Sequence, residues 1–240
     1  MNKIKLSLSI VSTALIFNSC AMNEMGVSAG MDLLKAATVS NEQMKSMAFS
    51  AAADMDAKSN VAPDGNKYAE RLKRITSNLK IPQGLNLNYK VYLVDEINAF
   101  AMADGTVRVY SGLMDLMTDE ELLFVMGHEI GHVQHEHSKQ AYRVAYAGQA
   151  TRKAAASIGG TTGSLAQGAL GGLAEKLLNA QFSQSEETEA DEFGLQFMKL
   201  NNINPNAAVS ALKKLGGGES SMFSSHPGSA DRAATIQSQI

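Results

Sequence analysis

The stretch that most restricts what this chain can become is His128-Glu129-Ile130-Gly131-His132. Its two histidines are four residues apart, so on a helix both imidazoles project from one face, one turn apart. Two neutral imidazoles at that spacing can hold one zinc ion. Glu129 is rotated by about 100° around the helix from His128. It stands outside the ligand pair but within reach of a water at the metal, where a general base is needed. Gly131 is expected to leave room beside the metal. An accidental match to this pattern arises on the order of half a percent of the time in a chain of this composition. Leu122, Leu123, Val125, Met126, Ile130 and Val133 give the segment an apolar flank, and histidines buried on such a flank need partners. Zinc supplies them. Thr118-Asp119-Glu120-Glu121 has the form of a capping box with acids in the first turn, so the helix is expected from near Asp119 to about His137.

Catalytic zinc takes three protein ligands and keeps a position for water. His135 and His137 follow His132 too closely to complete a three-histidine set and read as structural or surface residues. Cys20 is the only cysteine, which excludes a multi-cysteine site and an intrachain disulfide. Carboxylates cluster at Ser185-Glu186-Glu187-Thr188-Glu189-Ala190-Asp191, at the start of a helix expected over about Ser185 to Leu200. Spacing alone leaves Glu186, Glu187 and Glu189 open as the third ligand. A plain charged helix start also accounts for them, since acids suit a first turn. Glu187 and Asp191 share a face, and Glu189 points elsewhere.

The first residues read as an export signal. Lys3 and Lys5 precede a short apolar run, Leu6 to Phe17, too short to span a bilayer comfortably. Phe17-Asn18-Ser19-Cys20 resembles a bacterial lipobox, which makes Cys20 the expected lipidation site and the protein anchored rather than spanning. No other apolar run is long enough to cross a membrane. The expected location is the bacterial cell envelope, on the periplasmic side of the outer membrane. The expected organisation is a signal over 1–19, a tether or helical extension over 20–60, and a catalytic domain over 61–240. In the extension, Leu33, Leu34, Met44, Met47 and Phe49 have weak helical spacing; two amphipathic helices or a mobile spacer both fit, and the spacer is the simpler reading.

The rest of the chain reads as mixed α and β. Pro63-Asp64-Gly65 marks a turn before a helix over Tyr68 to Leu79. Strands are expected at Asn88 to Val94, Asn98 to Met102 and Thr106 to Tyr110, the last two joined by an Asp104-Gly105 hairpin, in a meander leading to a short helix, Leu113 to Met117. The strand at Asn98, Ala99 and Phe100 could receive an extended peptide by edge pairing. Residues 147–180, rich in small side chains, fit closely packed helices or a mobile flap. Helices are expected after Asn204-Pro205 and over Asp231 to Gln239. With 45% hydrophobic and 19% charged residues the chain is not disordered. A net charge of -3 offers no basic face, so no nucleic-acid partner is expected.

His128-Glu129-x-x-His132 followed by Glu187-x-Glu189-Ala190-Asp191-x-x-Gly194 resembles the HtpX/BepA/LoiP group of gluzincin zinc metallopeptidases, and mitochondrial and prenyl-protein endopeptidases share the pattern. The similarity runs from about Asn98 to Arg232. It takes in Asn98-Ala99-Phe100, the Gly105 turn, Gly112-Leu113, His137 and Ser225-His226-Pro227. It implies an α+β, mostly helical zincin-like domain with a small sheet against the active-site helix, and one zinc ion per chain. It implies Glu187 as third ligand and Asp191 as proton donor or support, able to fix an imidazole tautomer. His226 resembles a histidine near the metal that stabilises an oxyanion or binds zinc as a latent fourth ligand; a helix-capping loop histidine is the plain alternative. Arg232 can face the site, although most arginines on a terminal helix are solvated. The implied activity is hydrolysis of polypeptides. The absence of internal membrane helices points to the exported branch, with misfolded or unassembled envelope proteins as substrates. A chaperone-like factor of the envelope assembly machinery with a largely latent site is the alternative. A non-catalytic binding lipoprotein is the third class, and the intact Glu129 argues against it.

Overall fold

A computed structural model describes residues 24–82, 85–159, 181–216 and 221–240. The export segment, Cys20, residues 160–180 of the small-residue segment expected at 147–180, and Gly217-Gly218 lie outside the described residues.

The sheet is built around the turn at Asp104-Gly105. Gly105 has a φ of +90°, and a Cβ there would lie 2.0 Å from the Asn86 carbonyl oxygen, so only glycine fits. The Asp104 carboxylate accepts from both the backbone N–H and the hydroxyl of Thr106. The turn joins β2 (Ala99–Ala101) antiparallel to β3 (Thr106–Tyr110). β1 (Asn88–Tyr92) lies on the other side of β3 and runs parallel to it. The order is therefore β1-β3-β2, not the expected meander. Val107 and Val109 are fully buried, so β3 belongs in the middle with partners on both sides.

The sheet has two faces. Val91, Ala99, Val107 and Val109 join the main core. Tyr92, Phe100 and Met102 face the other way, against Ala48, Ala51 and Ala52. Those alanines lie on α2 (Asn41–Lys58), which follows α1 (Glu24–Thr38). The extension is thus two helices rather than a spacer over its described length. Its buried residues are mostly alanines, with Asp32, Val39 and Met44, while Phe49, Leu33 and Leu34 are exposed. The spacing of the large apolar residues was a poor guide because small ones make the contact.

Asp56 ties α2 to the sheet. Its carboxylate accepts from Arg108 Nε and Nη2, Lys90 Nζ and the Tyr92 hydroxyl at 2.6 to 2.9 Å. Lys90 and Arg108 are cross-strand partners, so Asp56 neutralises two neighbouring cations. Burial disfavours its charge, but these donors hold its pKa well below the usual carboxylate range. Asp56→Ala leaves the buried Arg108 without its counter-charge. A loss of about 3 kcal/mol is expected from a urea midpoint; a loss under about 1 kcal/mol would show the pairing to be dispensable.

The central helix, α5 (Asp119–Gln134), starts at the expected capping box: Thr118 accepts from Glu121 N–H and Glu121 accepts from Thr118 N–H. It stops short of His137. Glu136 takes a left-handed conformation, φ +59°, and α6 (His137–Gly159) begins after it. The remaining described helices are α3 (Lys67–Thr76), α4 (Ser111–Leu116), α7 (Gln184–Leu200), α8 (Asn206–Leu215), α9 (Ser221–Ser225) and α10 (Ser229–Gln237). Among the described residues no helix is long and apolar enough to cross a membrane.

Glu121 also anchors α8. Burial works against its charge, but Lys214, Ser210 and the Thr118 cap overcome it and hold its pKa down to about 2. A depressed folded-state pKa gives stability that is complete above the unfolded value and lost as pH falls through the folded one. Stability linked to Glu121 should therefore decline between about pH 4.5 and about pH 2. Acid titration of urea midpoints checks this: Glu121→Gln should be less stable near pH 6 and show a shallower acid decline than wild type.

Candidate metal centre

α5 carries His128, Glu129 and His132, all buried at 2 to 4% exposure. α7 packs directly across it. A Cβ on Gly131 would lie 3.0 Å from the Ala190 Cα and carbonyl oxygen, so this glycine makes room for the α7 backbone. The expected space beside the metal is not its role. Close approach brings one face of α7 over the two histidines.

That face sorts the acidic run. Glu186 serves the α7 capping box, accepting from the Ser183 N–H and hydroxyl. Glu187 points inward: Oε1 is 3.4 Å from His132 Nε2 and Oε2 is 3.6 Å from His128 Nε2. Asp191, one turn on, places Oδ1 2.9 Å from His128 Nδ1. Glu189 faces away from this cluster.

The chain returns through α9 and α10. His226 Nδ1 lies 3.2 Å from His128 Nε2 and 2.9 Å from Glu187 Oε1, and its Nε2 is 3.4 Å from Glu129 Oε1. Arg232 is largely enclosed in the site rather than solvated, its side chain 11% exposed. It grips Asp191 through Nε and Nη2 at 2.7 and 2.6 Å and ion-pairs with Glu187 through Nη1. The sequence did carry a signal for it. Two carboxylates on one buried helix face need a cation, and Arg232 is the arginine that follows His226 by less than two turns. Phe182, also unanticipated, stacks on the His132 ring at 3.9 Å between centroids.

Burial pushes the His128 pKa well down, with the Arg232 charge adding to it. Burial likewise lowers His132 to about 4, against the pull of Glu187. Both rings are therefore neutral at pH 7 and free to donate lone pairs. Burial raises Glu129 to about 7, with His226 and Arg232 opposing and Glu187 adding. His226 goes up: burial would lower it, but Glu129 and Glu187 outweigh that.

The donor atoms suit zinc. One atom each from His128, His132, Glu187 and His226 lies within 4.8 Å of all the others. Ligands about 2.1 Å from a tetrahedral ion stand about 3.4 Å apart, and the separations of 3.1, 3.4 and 3.6 Å within the set of His128, His132 and Glu187 bracket that value. Glu129 Oε1 is buried without a hydrogen bond, as expected of a group awaiting a partner.

A small cavity opens beside these atoms. It is lined by Glu129, His132, Phe182, Ser225 and His226 on one side and by Asn98 through Ala103 on the other, with Met44 and Ala48 of α2 closing it. β2 is the sheet's free edge here. The side chain of Ala99 enters the main core and that of Phe100 the α2-facing core, so the cavity receives backbone. Asn98 Oδ1 accepts from the Ala99 N–H.

A mostly helical α+β domain whose central helix offers this donor set is that of a zinc metalloendopeptidase, acting on polypeptides. Residues 65–240 match the model of peptidase family M48, and the chain belongs to that family. It is 43% identical to metalloprotease LoiP of Escherichia coli K12, over 99% of this chain and 97% of that protein. It is 39% identical to metalloprotease YcaL of the same organism, over 100% of this chain and 98% of that one. A beta-barrel assembly-enhancing protease of Yersinia pestis is 32% identical over 62% of this chain and 32% of its own length.

Proposed function

We propose that this metalloendopeptidase is lipid-anchored through Cys20 in the bacterial cell envelope, at the outer membrane facing the periplasm, and cleaves misfolded or unassembled envelope proteins. His128, His132 and Glu187 hold the zinc. The signal occupies 1–19, the helical extension 20–60 and the catalytic domain 61–240. The observation that carries the catalytic reading is the placing of Glu129: buried, with one carboxylate oxygen unbonded, at a cavity that the free edge of β2 also lines.

Zinc, when bound, supplies a Lewis acid that polarises the scissile carbonyl and acidifies a water. Glu129 takes the proton of the attacking water and passes it to the leaving amine. Asp191 accepts from His128 Nδ1–H and so keeps Nε2 free to ligate. His226, beside Glu129, donates to the oxyanion that develops on the carbonyl. The backbone of Asn98, Ala99 and Phe100 holds the substrate extended, so recognition falls mainly on peptide groups and specificity is broad.

The lipobox at Cys20 supports the anchor, and the name of the beta-barrel assembly-enhancing relative supports envelope substrates. Cys20→Ala should move the protein from the membrane to the soluble fraction of lysed cells; unchanged membrane recovery rules the anchor out.

One observation favours a second reading. His226 Nδ1 is close enough to both Glu187 and His128 to be a fourth ligand, which would leave the site latent and the protein chiefly an assembly factor. His226→Ala separates the two. A loss of about 100-fold in cleavage of an unfolded protein, with zinc retained, fits the oxyanion role. A rise in cleavage fits latency.

A further inference from the structure

The two histidines of α5 are supported differently from behind. Each turns Nε2 inward: the Nε2 atoms are 3.1 Å apart, and Glu187 approaches both. Each therefore turns Nδ1 outward. For His128 the nearest partner of Nδ1 is the Asp191 carboxylate at 2.9 Å, with Arg232 Nη2 3.2 Å away. For His132 it is another imidazole, His137 Nδ1, at 2.9 Å. His137 Nε2 is in turn 3.1 Å from Glu189 Oε2. His137 is buried at 4% exposure, while the Glu189 side chain is half exposed.

Only one arrangement of protons satisfies this chain when His132 ligates through Nε2. His132 must carry its proton on Nδ1 and donate it to His137 Nδ1. His137 must then carry its own proton on Nε2 and donate it to Glu189. Any other tautomer of His137 sets two N–H groups against each other at 2.9 Å, or leaves two lone pairs facing. A bare carboxylate could not reach His132 here, because Glu189 lies on the far side of the intervening ring. The elbow at Glu136 makes the relay possible. Its left-handed backbone ends α5 and starts α6 at His137, folding that ring back under His132. An uninterrupted helix would rotate a residue five positions on by about 140° from His132.

We propose that His137 and Glu189 form a positioning relay that fixes His132 in its metal-binding tautomer. The proposal rests on the zinc site described above and concerns His132 alone; Asp191 performs the matching task for His128. It also accounts for two groups that the reaction itself does not use.

The test is zinc affinity, measured by competition with a chromogenic chelator, on the full chain and four variants. His137→Phe keeps the ring volume and removes the acceptor; its zinc Kd should rise 10- to 100-fold. His137→Asn keeps an acceptor oxygen near the Nδ1 position and should recover most of the wild-type affinity. Glu189→Gln should weaken binding by a smaller factor, because Glu189 is half solvated. Glu129→Gln, which breaks the proposed base but no ligand, should bind zinc as wild type does, so failure of the catalytic reading shows separately from failure of the relay. Long-range 15N–1H spectra of the ring nitrogens give a second readout: zinc-loaded wild type should show His132 protonated at Nδ1, and that proton should exchange faster in Glu189→Gln. Wild-type affinity in His137→Phe, or equal weakening in the Phe and Asn variants, overturns the proposal. If His137→Phe does not fold, the Asn variant, Glu189→Gln and the ring spectra still decide it: an unprotonated His132 Nδ1 in wild type overturns it.

Discussion

Glu129→Gln should abolish measurable proteolysis while leaving zinc in place. The substitution keeps size and hydrogen-bonding shape, and removes only the ability to take a proton. General base catalysis typically contributes 100- to 10,000-fold, and the loss should fall near the upper end because no other carboxylate near the site is free to replace it. Of the other acids near the site, Asp191 is held by Arg232 and His128, and Glu187 by the two histidines, His226 and Arg232. Cleavage of an unfolded protein, compared at equal zinc content, measures the effect. Cleavage within tenfold of wild type would remove Glu129 from the role. The pH profile follows from the same carboxyl. Burial raises its pKa to about 7 in the metal-free protein. A cation beside it favours the charged form and pulls that value down. The acid limb of kcat/KM should therefore lie between about pH 4.5 and pH 7 and vanish with the residual activity of the Gln variant.

Glu187→Gln should empty the metal site. Burial opposes its charge, yet hydrogen bonds from His132 and His226 keep its pKa far below the usual range. It is thus an anion held ready among neutral rings. The amide keeps the packing but lacks the charge that balances a dication. Zinc affinity should fall by more than the 10- to 100-fold that loss of an outer partner costs. The fold should survive, because Arg232 retains its two bonds to Asp191. Zinc per chain after gel filtration with a weak chelator, together with a melting curve of the apoprotein, checks both halves. A variant that keeps one zinc per chain excludes Glu187 as a ligand.

What could be read from the sequence was local. The Thr118–Glu121 box, the Gly105 turn, the one-face spacing of His128 and His132, and the shared face of Glu187 and Asp191 all depend on residues within a turn or two of each other. Glu186 could not be sorted from Glu187 without knowing that Ser183 begins the helix and claims Glu186 for its cap. The depth of Arg232 in the site and the packing of α2 on the sheet were hidden for a different reason. Their places are set by partners 34 and more residues away, and neither shows an apolar stripe or a motif. The parallel pairing of β1 with β3 was hidden likewise: residue patterns specify strands, while the order in a sheet follows from which strand must be buried on both edges. The stop at Gln134 turned on Glu136, a non-glycine residue in a left-handed conformation that composition does not announce.

The helix that covers the back of the sheet bears on where this enzyme begins. The match to the M48 family model starts at residue 65, yet Met44 and Ala48 form part of the wall around the reacting groups. Asp56, which neutralises the buried Arg108, also lies upstream of that boundary. The stretch common to the whole family and the stretch that encloses the site are therefore different pieces of the same polypeptide, while the likeness to LoiP and YcaL spans both. A fragment trimmed to residues 65–240 would expose Tyr92, Phe100 and Met102 to water and strand a cation in the sheet. Grafting this catalyst onto another carrier requires a cut ahead of Asn41, so that the reaction chamber travels whole.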